Sequence, residues 1–385
     1  METVAPFTEV IDEIKAAGGD IFRFCYQCGK CDTVCPWNEV RDFSMRRIIR
    51  EAAFGLSEIE GEDIWRCTTC GRCPDQCPRG VKQIDLSVSL RRVASDYEIF
   101  PQSVKSARSA RASLISEGNP LQGEREHRAD WAKDQGVQTF SEDMELLYFA
   151  GCYLSYDPRM KKVAVATVDL LKAAGIEFGI LGEKESCCGE SIRKTGSEQV
   201  FKDLARANIK TFVDSGVKRI LVSSPHCYHT FVNEYPEFMV HFEVVHIAQY
   251  LAELIAAGKL ACTQDFPRKV AYHDPCYLGR HNQIYAEPRE VLKAVPGLEF
   301  LELPENGQNS LCCGGGGGRI WMDTPLSERF SDIRLKQARE AGAEVLATAC
   351  PYCITNFEES RLNLEFEDVL EIKDLTEIVR LSIEE

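Results

Sequence analysis

Two runs of cysteines near the start of the chain have the spacing of iron–sulfur ligands. The first run consists of Cys25, Cys28, Cys31 and Cys35 followed by Pro36, and the second of Cys67, Cys70, Cys73 and Cys77 followed by Pro78. In the CxxCxxCxxxCP pattern, three thiolates bind one cubane cluster and the fourth cysteine binds the other. The sequence therefore predicts two [4Fe-4S] clusters. The predicted ligands are Cys25, Cys28, Cys31 and Cys77 for one cluster, and Cys67, Cys70, Cys73 and Cys35 for the other.

Zinc is the alternative metal for closely spaced cysteines, because paired CxxC units often hold one zinc ion with four ligands. Two complete runs that both end in Cys-Pro disfavour zinc. The exchanged fourth ligands would also hold the two clusters close together, as the transfer of single electrons requires. We therefore interpret this region as an electron relay.

Five further cysteines form a group in the last third of the chain. They are Cys276, the adjacent Cys312 and Cys313, and the CxxC pair Cys350 and Cys353. Parallel strands place their carboxyl ends, where such folds hold their sites, at one edge of a sheet. Three loops at predicted strand ends should thus bring five sulfurs together, which is one more than a cubane cluster needs.

An earlier part of the chain repeats this pattern with one cysteine missing. It contains Cys152, Cys187, Cys188 and Cys227, and Ser224 stands where the second copy has Cys350. Serine is a harder and far less acidic ligand than cysteine, and it binds iron or zinc poorly at neutral pH. The four remaining thiolates could hold zinc, an ordinary cluster or no metal. The sequence favours a structural metal here.

The repeat extends beyond the cysteines and indicates the fold. LLYFAGCYL around Cys152 matches VAYHDPCYL around Cys276, and residues 242–255 match residues 366–379 at an offset of 124. Each copy alternates amphipathic helical segments with short β-rich runs, which are MELLYFA, IEFGIL and KRILVS, then RKVAY, LEFLEL and EVLAT. This alternation predicts βαβ units and a largely parallel sheet in each copy.

The predicted fold class is α/β, with two duplicated βαβ-type cysteine-rich lobes after an α-helical ferredoxin domain. The 31 residues between the two cysteine runs include an amphipathic helix, predicted from the spacing of Val40, Phe43, Ile48, Ala52 and Phe54. The predicted domains are a helical two-cluster domain at 1–98, a helix and linker at 99–143, the first lobe at 144–262 and the second lobe at 263–385.

Length and composition narrow the class of protein. A chain of 385 residues with 44% hydrophobic residues should form about two to four soluble globular domains. The first residues lack the apolar core of a secretory signal, so we expect reduced thiolates and a cytoplasmic location. No stretch approaches the ~20 apolar residues of a membrane span, so we expect membrane association only through a partner. The net charge of −15 argues against nucleic acid as a partner.

The five-cysteine pattern, preceded by two ferredoxin runs, resembles the CCG-domain iron–sulfur oxidoreductases, in particular the D-type subunit of heterodisulfide reductase and its relatives. The resemblance spans nearly the whole chain. It implies that the five cysteines of the second lobe hold a non-cubane iron–sulfur cluster, at which a disulfide is cleaved by single electrons. It also implies redox partners, which are a flavin subunit, an electron-transfer flavoprotein or a membrane cytochrome b. Ser224 departs from the family pattern and argues against a mechanism that needs two complete five-cysteine clusters.

A glycine-rich segment, CCGGGGGR at 312–319, is not a nucleotide loop. It lacks the GxGxxG register and a following GK[ST]. We expect its glycines to pack against the cluster of the second lobe and to donate N–H groups to its sulfides. A flexible turn with no such duty is the alternative for the glycines.

Four histidines flank the cysteines of the lobes. His226 or His229 could replace the lost ligand or donate a proton, and His273 or His281 could donate a proton beside the intact group. Hydrogen-bond donation to ligands, or a structural role in a loop, is favoured for His226 and His273. Contact with a substrate or partner is favoured for Arg280 and His281, and His281 is the candidate proton donor.

The sequence supports two hypotheses about function. In the first, the chain is an oxidoreductase subunit that passes electrons through two [4Fe-4S] clusters to or from the second lobe, for chemistry on a small thiol or disulfide. In the second, the same centres form a relay that links a flavoprotein or bifurcating complex to a quinone-reducing or other carrier, and no substrate binds here. A scaffold that binds zinc alone is disfavoured by the two ferredoxin runs.

Overall fold

The computed structural model describes residues 6–56 and 59–383. Its contacts divide the chain into two compact units. The N-terminal unit contains the residues up to Ser109 together with Ser191–Phe201 and Gly314–Phe330. The sheet unit contains Ala110–Glu190, Lys202–Cys313 and the residues from Ser331 onwards. Two short segments that follow the CCG motifs in sequence are therefore parts of the N-terminal unit.

The described N-terminal residues, up to the start of the sheet unit, form helices and turns. The α-helices are α1 (Thr8–Ala16), α2 (Lys30–Thr33), α3 (Met45–Phe54), α4 (Asp63–Arg66), α5 (Arg72–Gln76) and α6 (Gln83–Asp96), and α7 (Lys105–Glu117) continues into the sheet unit. Short 3-10 turns lie at Asp20–Phe24 and Pro36–Glu39.

Helix α3 is the helix predicted between the cysteine runs. It begins after Ser44, whose side-chain oxygen accepts a hydrogen bond from the backbone N–H of Arg47 at 3.1 Å, and this is a typical N-cap. It ends at Gly55, where φ is 67°. Ile48 and Ala52 are buried as predicted.

The predicted helix is too long at its start and its apolar face ends early. Val40 and Phe43 precede the N-cap and lie outside the helix. Phe54 lies at the last helical position with 43% of its surface exposed. The spacing of apolar residues placed the start of the predicted helix too early, because apolar spacing takes no account of the capping Ser44.

The sheet unit contains two sheets of parallel strands. The strands are β1 (Gln138–Thr139), β2 (Leu146–Phe149), β3 (Phe178–Ile180), β4 (Arg219–Val222), β5 (Glu243–His246), β6 (Lys269–Tyr272), β7 (Glu299–Leu301), β8 (Val345–Thr348) and β9 (Glu371–Asp374). All six β-rich runs predicted from the sequence form strands, namely β2, β3, β4, β6, β7 and β8.

Both sheets place four strands in the same order. The first sheet is ordered β1-β3-β2-β4-β5 and the second β7-β6-β8-β9, and every pairing is parallel. We call the first sheet with its helices the first lobe, and the second sheet with its helices the second lobe. The predicted α/β class with parallel sheets is confirmed.

Helices supply the crossovers that parallel strands require, and one more helix follows the last strand. They are α8 (Gly151–Tyr156), α9 (Pro158–Ala173), α10 (Glu190–Lys194), α11 (Glu198–Asp214), α12 (Pro225–His229), α13 (Ile247–Ala256), α14 (Ala286–Lys293), α15 (Phe330–Glu340), α16 (Pro351–Asn363) and α17 (Leu375–Leu381). Strands β2 and β8 are buried at all four of their positions.

The two lobes are equivalent at a different register from the one that the sequence match suggested. His246 caps α13 and Asp374 caps α17, each in a capping box that follows the last strand of its sheet. These caps lie 128 positions apart, whereas the match of 242–255 with 366–379 used an offset of 124. That offset is wrong. A shift of four residues is about one helical turn and leaves the apolar pattern almost unchanged.

Within residues 6–56 and 59–383, the structure contains no helix with the length and apolar character needed to cross a bilayer.

Candidate metal centres

The two cysteine runs of the N-terminal unit share one unusual backbone. Gln27 and Thr69 precede the second cysteine of their runs, and both have positive φ values, of 65° and 51°. Gly29 and Gly71 follow that cysteine, with φ of 84° and 82°, and lead into α2 and α5. Positive φ is uncommon outside glycine. The repeat in sequence is therefore also a repeat in local structure.

The fourth cysteine of each run lies near the other run. Burial is the largest cause that raises the pKa of the Cys35 thiol, and the charges of Cys70 and Cys67 raise it further. The pKa of the Tyr26 phenol is raised by desolvation and then by the charges of Cys28 and Cys77. Helices α2 and α5 also contact one another. The exchanged ligand sets predicted from the sequence need this interleaved arrangement.

The electrostatics of these thiols fit a cationic group. Burial raises the pKa of the Cys73 thiol well above its usual value, and the charges of Cys67, Cys70 and Cys35 add to the rise. Thiols grouped in this way lose their protons together only where a cation compensates their charge, as a bound metal or an iron–sulfur cluster does. The residues present therefore suit the predicted clusters.

The glycine-rich segment packs differently from the prediction. A Cβ atom on Gly316 would lie 2.5 Å from the carbonyl oxygen of Thr68, and one on Gly317 would lie 2.5 Å from that of Cys67. Gly317 also has a φ of 64°, which glycine adopts without strain. These two glycines allow a close approach to the second cysteine run of the N-terminal unit, whereas the sequence had suggested the five-cysteine group.

The sheet unit carries its cysteines beyond the carboxyl ends of parallel strands. Cys152 follows β2 and Cys227 follows β4, while Cys276 follows β6 and Cys350 follows β8. Strand β2 pairs with β4, and β6 pairs with β8. The two segments of each lobe therefore meet at one edge of its sheet, as predicted.

The five cysteines of the second lobe form one contiguous group, which we call the second-lobe centre. The sulfurs of Cys353 and Cys313 lie 3.4 Å apart, Cys276 is hydrogen-bonded to Cys312, and Cys353 is hydrogen-bonded to Cys350. Their exposed fractions lie between 1% and 7%. Five adjacent sulfurs with so little exposure form a donor set for a soft metal centre.

His273 and Asn356 support the second-lobe centre. His273 lies with Cys313 and Cys353 in a group whose potential ligand atoms are within 4.8 Å of one another. Its Nδ1 accepts a hydrogen bond from the buried Arg334 at 3.2 Å, so in the neutral ring the proton is on Nε2. The amide of Asn356 donates to the carbonyl oxygen of Cys313 at 3.2 Å.

Arg280 and His281 occupy different surroundings. Arg280 is 7% exposed and donates to the carbonyl oxygens of Gln308 and Ser310, in the loop that leads to Cys312. The sequence had suggested contact with a substrate or partner, and the structure gives Arg280 a role in holding this loop. The ring of His281, the candidate proton donor, lies 4.4 Å from that of Tyr277, next to Cys276.

The four cysteines of the first lobe are also brought together, in what we call the first-lobe centre. Hydrogen bonds link Cys152 to Cys187, Cys187 to Cys188 and Cys188 to Cys227. The hydroxyl of Ser224 hydrogen-bonds to Cys227. Ser224 is the N-cap of α12, and Cys350 is the N-cap of α16. The structure thus places a hydroxyl where the second lobe has a thiol.

A buried ion pair beside the first-lobe centre was not predicted. Arg128 donates to Glu185 Oε1 at 2.7 Å, and its guanidinium lies 3.7 Å from the sulfur of Cys152. Both charged side chains are less than 5% exposed. Burial raises the pKa of Glu185 by more than Arg128 lowers it. Arg128 lies in the stretch interpreted as a linker, where no sequence signal distinguishes it from other arginines.

His226 of the first lobe contacts the second-lobe centre. Its Nδ1 lies 3.3 Å from Glu190 Oε1, and its ring hydrogen-bonds to the sulfur of Cys350. The ring stacks between Tyr277 at 4.1 Å and Tyr352 at 4.2 Å. The sequence predicted that His226 donates a hydrogen bond to a metal ligand. Its position in the chain suggested the neighbouring Cys227 as that ligand, whereas the structure places His226 against Cys350.

The charges of this contact favour an imidazolium beside a thiolate. Burial lowers the pKa of His226, but Glu190 and Cys350 raise it more, to about 10. Burial raises the pKa of the Cys350 thiol, but hydrogen bonds with Cys353 and His226 lower it more, to about 5. The contact with His226 therefore lowers the pKa of the Cys350 thiol and favours its thiolate form.

Comparison with known protein families identifies the same regions. Residues 146–232 and 270–358 each match the cysteine-rich domain called CCG, and residues 21–81 match the 4Fe-4S dicluster domain.

Named relatives cover most of this chain. The probable iron-sulfur-binding oxidoreductase FadF of Bacillus subtilis is 37% identical over 84% of this chain and 47% of its own length. The EtfAB:quinone oxidoreductase of Syntrophomonas wolfei is 34% identical over 85% of this chain and 47% of its own length. The D-type subunit of the dihydromethanophenazine:CoB–CoM heterodisulfide reductase of Methanosarcina barkeri is 31% identical over 92% of both chains. This chain thus spans about half the length of the first two relatives and nearly all of the third.

Proposed function

Because this chain belongs to the family of CCG-domain iron–sulfur proteins that includes the D-type subunit of heterodisulfide reductase, we propose that it is a subunit that relays single electrons between redox partners. The two cysteine runs of the N-terminal unit would hold two [4Fe-4S] clusters, and the second-lobe centre would hold a non-cubane cluster. When bound, these clusters supply one-electron redox chemistry. The first-lobe centre, with Ser224 at its fifth position, would hold a structural metal.

The closure of the second-lobe centre carries this proposal. All five cysteines are at most 7% exposed. On the side of the first lobe, the stack of Tyr277, His226 and Tyr352 lies against Cys350. Tightly packed side chains exclude water and substrate atoms, whereas an electron passes through such a layer without an open path. An electron relay needs no open path from the solvent to its metal centre.

The names of relatives suggest the redox partners. One relative is named as an oxidoreductase of EtfAB and quinone, and a further one, 29% identical, as a probable membrane-anchored ferredoxin of Chromohalobacter salexigens. By analogy we propose that this chain receives electrons from a flavoprotein and delivers them toward a quinone-reducing partner. Any association with a membrane would then occur through that partner.

Chemistry on a thiol or disulfide is the second candidate. It is favoured by the complete set of five cysteines in the second lobe and by the 92% coverage of a D-type subunit of heterodisulfide reductase. The first-lobe centre, which would have to supply an equivalent cluster in a paired mechanism, has Ser224 in place of a fifth cysteine.

A thiol-binding experiment separates the two functions. The anaerobically purified, iron-loaded protein is oxidised, mixed with a small thiol and followed by electron paramagnetic resonance. We expect no new paramagnetic species, because Cys350 is covered by His226 and the two tyrosines. We also expect rapid reoxidation of the reduced protein by a quinone analogue. A new signal that needs the thiol would contradict the relay and establish the thiol or disulfide site.

Replacing Ser224 by cysteine should raise the iron content of the protein. Ser224 lies at the structural position of Cys350 and already hydrogen-bonds to Cys227, so a thiol there completes the set of five. Iron, zinc and sulfide are measured per chain. The control is Ser223→Cys, since Ser223 Oγ lies 2.9 Å from the hydroxyl of Tyr148 instead. Unchanged iron in Ser224→Cys would show that the first lobe has no room for a cluster.

A further inference from the structure

His226 belongs to the lobe that lacks a cysteine, yet its side chain serves the other lobe. It stands between Ser224 and Cys227 in sequence, on α12. Its ring is 4% exposed and hydrogen-bonds to the sulfur of Cys350, in the second-lobe centre. All of these residues lie in the sheet unit. The first lobe therefore contributes directly to the surroundings of the intact cysteine set.

The orientation of the ring is fixed on both faces. The ring of Tyr277 stacks on one face of the imidazole with an interplanar angle of 30°. The ring of Tyr352 lies against the other face with an interplanar angle of 31°. Tyr277 directly follows Cys276, and Tyr352 lies between Cys350 and Cys353. The segments that bind the metal therefore also hold the imidazole, and rotation of the ring would break both stacking contacts.

The edge of the ring meets two acceptors. Glu190 Oε1 lies 3.3 Å from Nδ1 of His226, and the sulfur of Cys350 is its hydrogen-bond partner. A carboxylate and a thiolate only accept hydrogen bonds. The imidazole therefore acts as the donor toward the sulfur of Cys350, and Glu190 lies beside the ring at ion-pair distance.

We propose that His226 is a positioning residue of the first lobe that donates an N–H hydrogen bond to the ligand sulfur of Cys350 and thereby raises the reduction potential of the second-lobe centre. This inference rests on the proposed function, since it takes Cys350 as a cluster ligand. Reduction adds negative charge to the cluster and its sulfurs, and hydrogen bonds to those sulfurs stabilise the reduced form. The hydrogen bond from His226 also gives the first lobe a role that does not depend on a fifth cysteine.

The test compares His226→Phe with His226→Gln in the full-length, iron-loaded protein. Phenylalanine retains the stacking between Tyr277 and Tyr352 and lacks the donor, whereas glutamine retains an N–H donor. Redox titration followed by electron paramagnetic resonance gives the midpoint potential of the second-lobe centre. We expect the phenylalanine variant to shift the reduction equilibrium by at least about tenfold, which is ~59 mV toward more negative potential for one electron. The glutamine variant should lie between it and the wild type.

The controls separate this inference from the proposed function. His229→Phe changes a histidine on the same helix, whose ring makes edge-on contacts with Tyr277 and His281, and it should leave the potential unchanged. An equal shift in His229→Phe, or an unshifted potential in an iron-loaded His226→Phe variant, overturns the role of His226 alone. If the wild-type protein contains no iron–sulfur centre that is lost on replacement of Cys276, the proposed function and this inference are both overturned. If His226→Phe loses iron, His226→Gln is compared with the shorter His226→Asn, and equal potentials in those two overturn the inference.

Discussion

We expect the replacement of Cys276 by alanine to remove the proposed second-lobe cluster and to interrupt the proposed electron flow through the protein. Cys276 is 7% exposed and hydrogen-bonds to Cys312, so it completes one side of the five-sulfur group. Loss of a residue that merely supports a metal ligand costs ~10–100-fold in affinity or activity, and loss of the ligand itself should exceed this. We expect the iron and sulfide of one centre to be lost and the rate of electron delivery to an acceptor to fall at least about 100-fold.

The two clusters of the N-terminal unit should survive this change. Their predicted ligands belong to a separate compact unit, within which the two cysteine runs interleave. Electron paramagnetic resonance of the reduced Cys276→Ala variant should therefore still show two interacting cubane clusters. Reduction of these clusters by a flavoprotein donor should proceed at a nearly unchanged rate, while the step beyond them stops.

Cys262 provides the matched control. It lies in the sheet unit outside the first-lobe and second-lobe centres, is partly buried, and hydrogen-bonds to Ser382. Cys262→Ala removes the same atom and should change neither the iron content nor electron delivery. Full iron content and full electron delivery in Cys276→Ala would show that the five cysteines do not hold a redox centre.

Much of the second-lobe centre could be predicted because its geometry follows from local sequence. A cysteine that follows a strand of a parallel sheet is placed at a known edge, and this holds for Cys276 after β6 and for Cys350 after β8. The parallel direction of the strands in the two sheets also follows from the alternation of strand and helix. Strands β5 and β9 were missed because their sequences, EVVH and EIKD, are short and merge with the helices that follow.

What could not be predicted depends on contacts between distant parts of the chain. Arg128 lies 57 positions before Glu185, and His226 lies far from Cys350 in sequence. Neither pair has a fixed spacing, because each forms only when several strands and helices have packed. The close approach of Gly317 to Cys67 is of the same kind. The sequence pattern therefore located the cysteines that come together, and it did not locate the side chains that contact them from distant parts of the chain.

Arg91 joins separate segments of the N-terminal unit by hydrogen bonds, and its replacement by methionine should shorten the lifetime of the iron-loaded protein. The side chain is fully buried on α6. It donates to the carbonyl oxygens of Ile64 at 2.8 Å, Cys67 at 2.7 Å, Lys194 at 3.0 Å and Gly317 at 2.7 Å. It therefore joins the cysteine run to both of the segments that the lobes contribute to this unit.

Methionine fills a similar length but donates no hydrogen bond. Each buried acceptor left without a partner costs about 1–3 kcal/mol, and because such costs are not additive we expect a total loss of about 3–5 kcal/mol. Unfolding of an iron–sulfur protein is irreversible once iron is released, so the appropriate measurement is the rate of iron release to a chelator. If the whole loss of stability lowers the free-energy barrier to opening of the N-terminal unit, about 3 kcal/mol corresponds to a roughly hundredfold faster release of iron.

Two further variants serve as controls for the effect of Arg91→Met on the rate of iron release. Arg50→Met removes an exposed arginine of α3 and should leave the rate of iron release unchanged, because surface substitutions of this kind alter stability by less than about 0.5 kcal/mol. Arg91→Lys keeps the charge but loses the planar fork that reaches several carbonyls at once, so its rate should lie between those of the wild type and Arg91→Met. A wild-type rate in Arg91→Met would mean that the segments around Gly317 and Lys194 are held by other contacts, and that the clusters do not depend on this arginine.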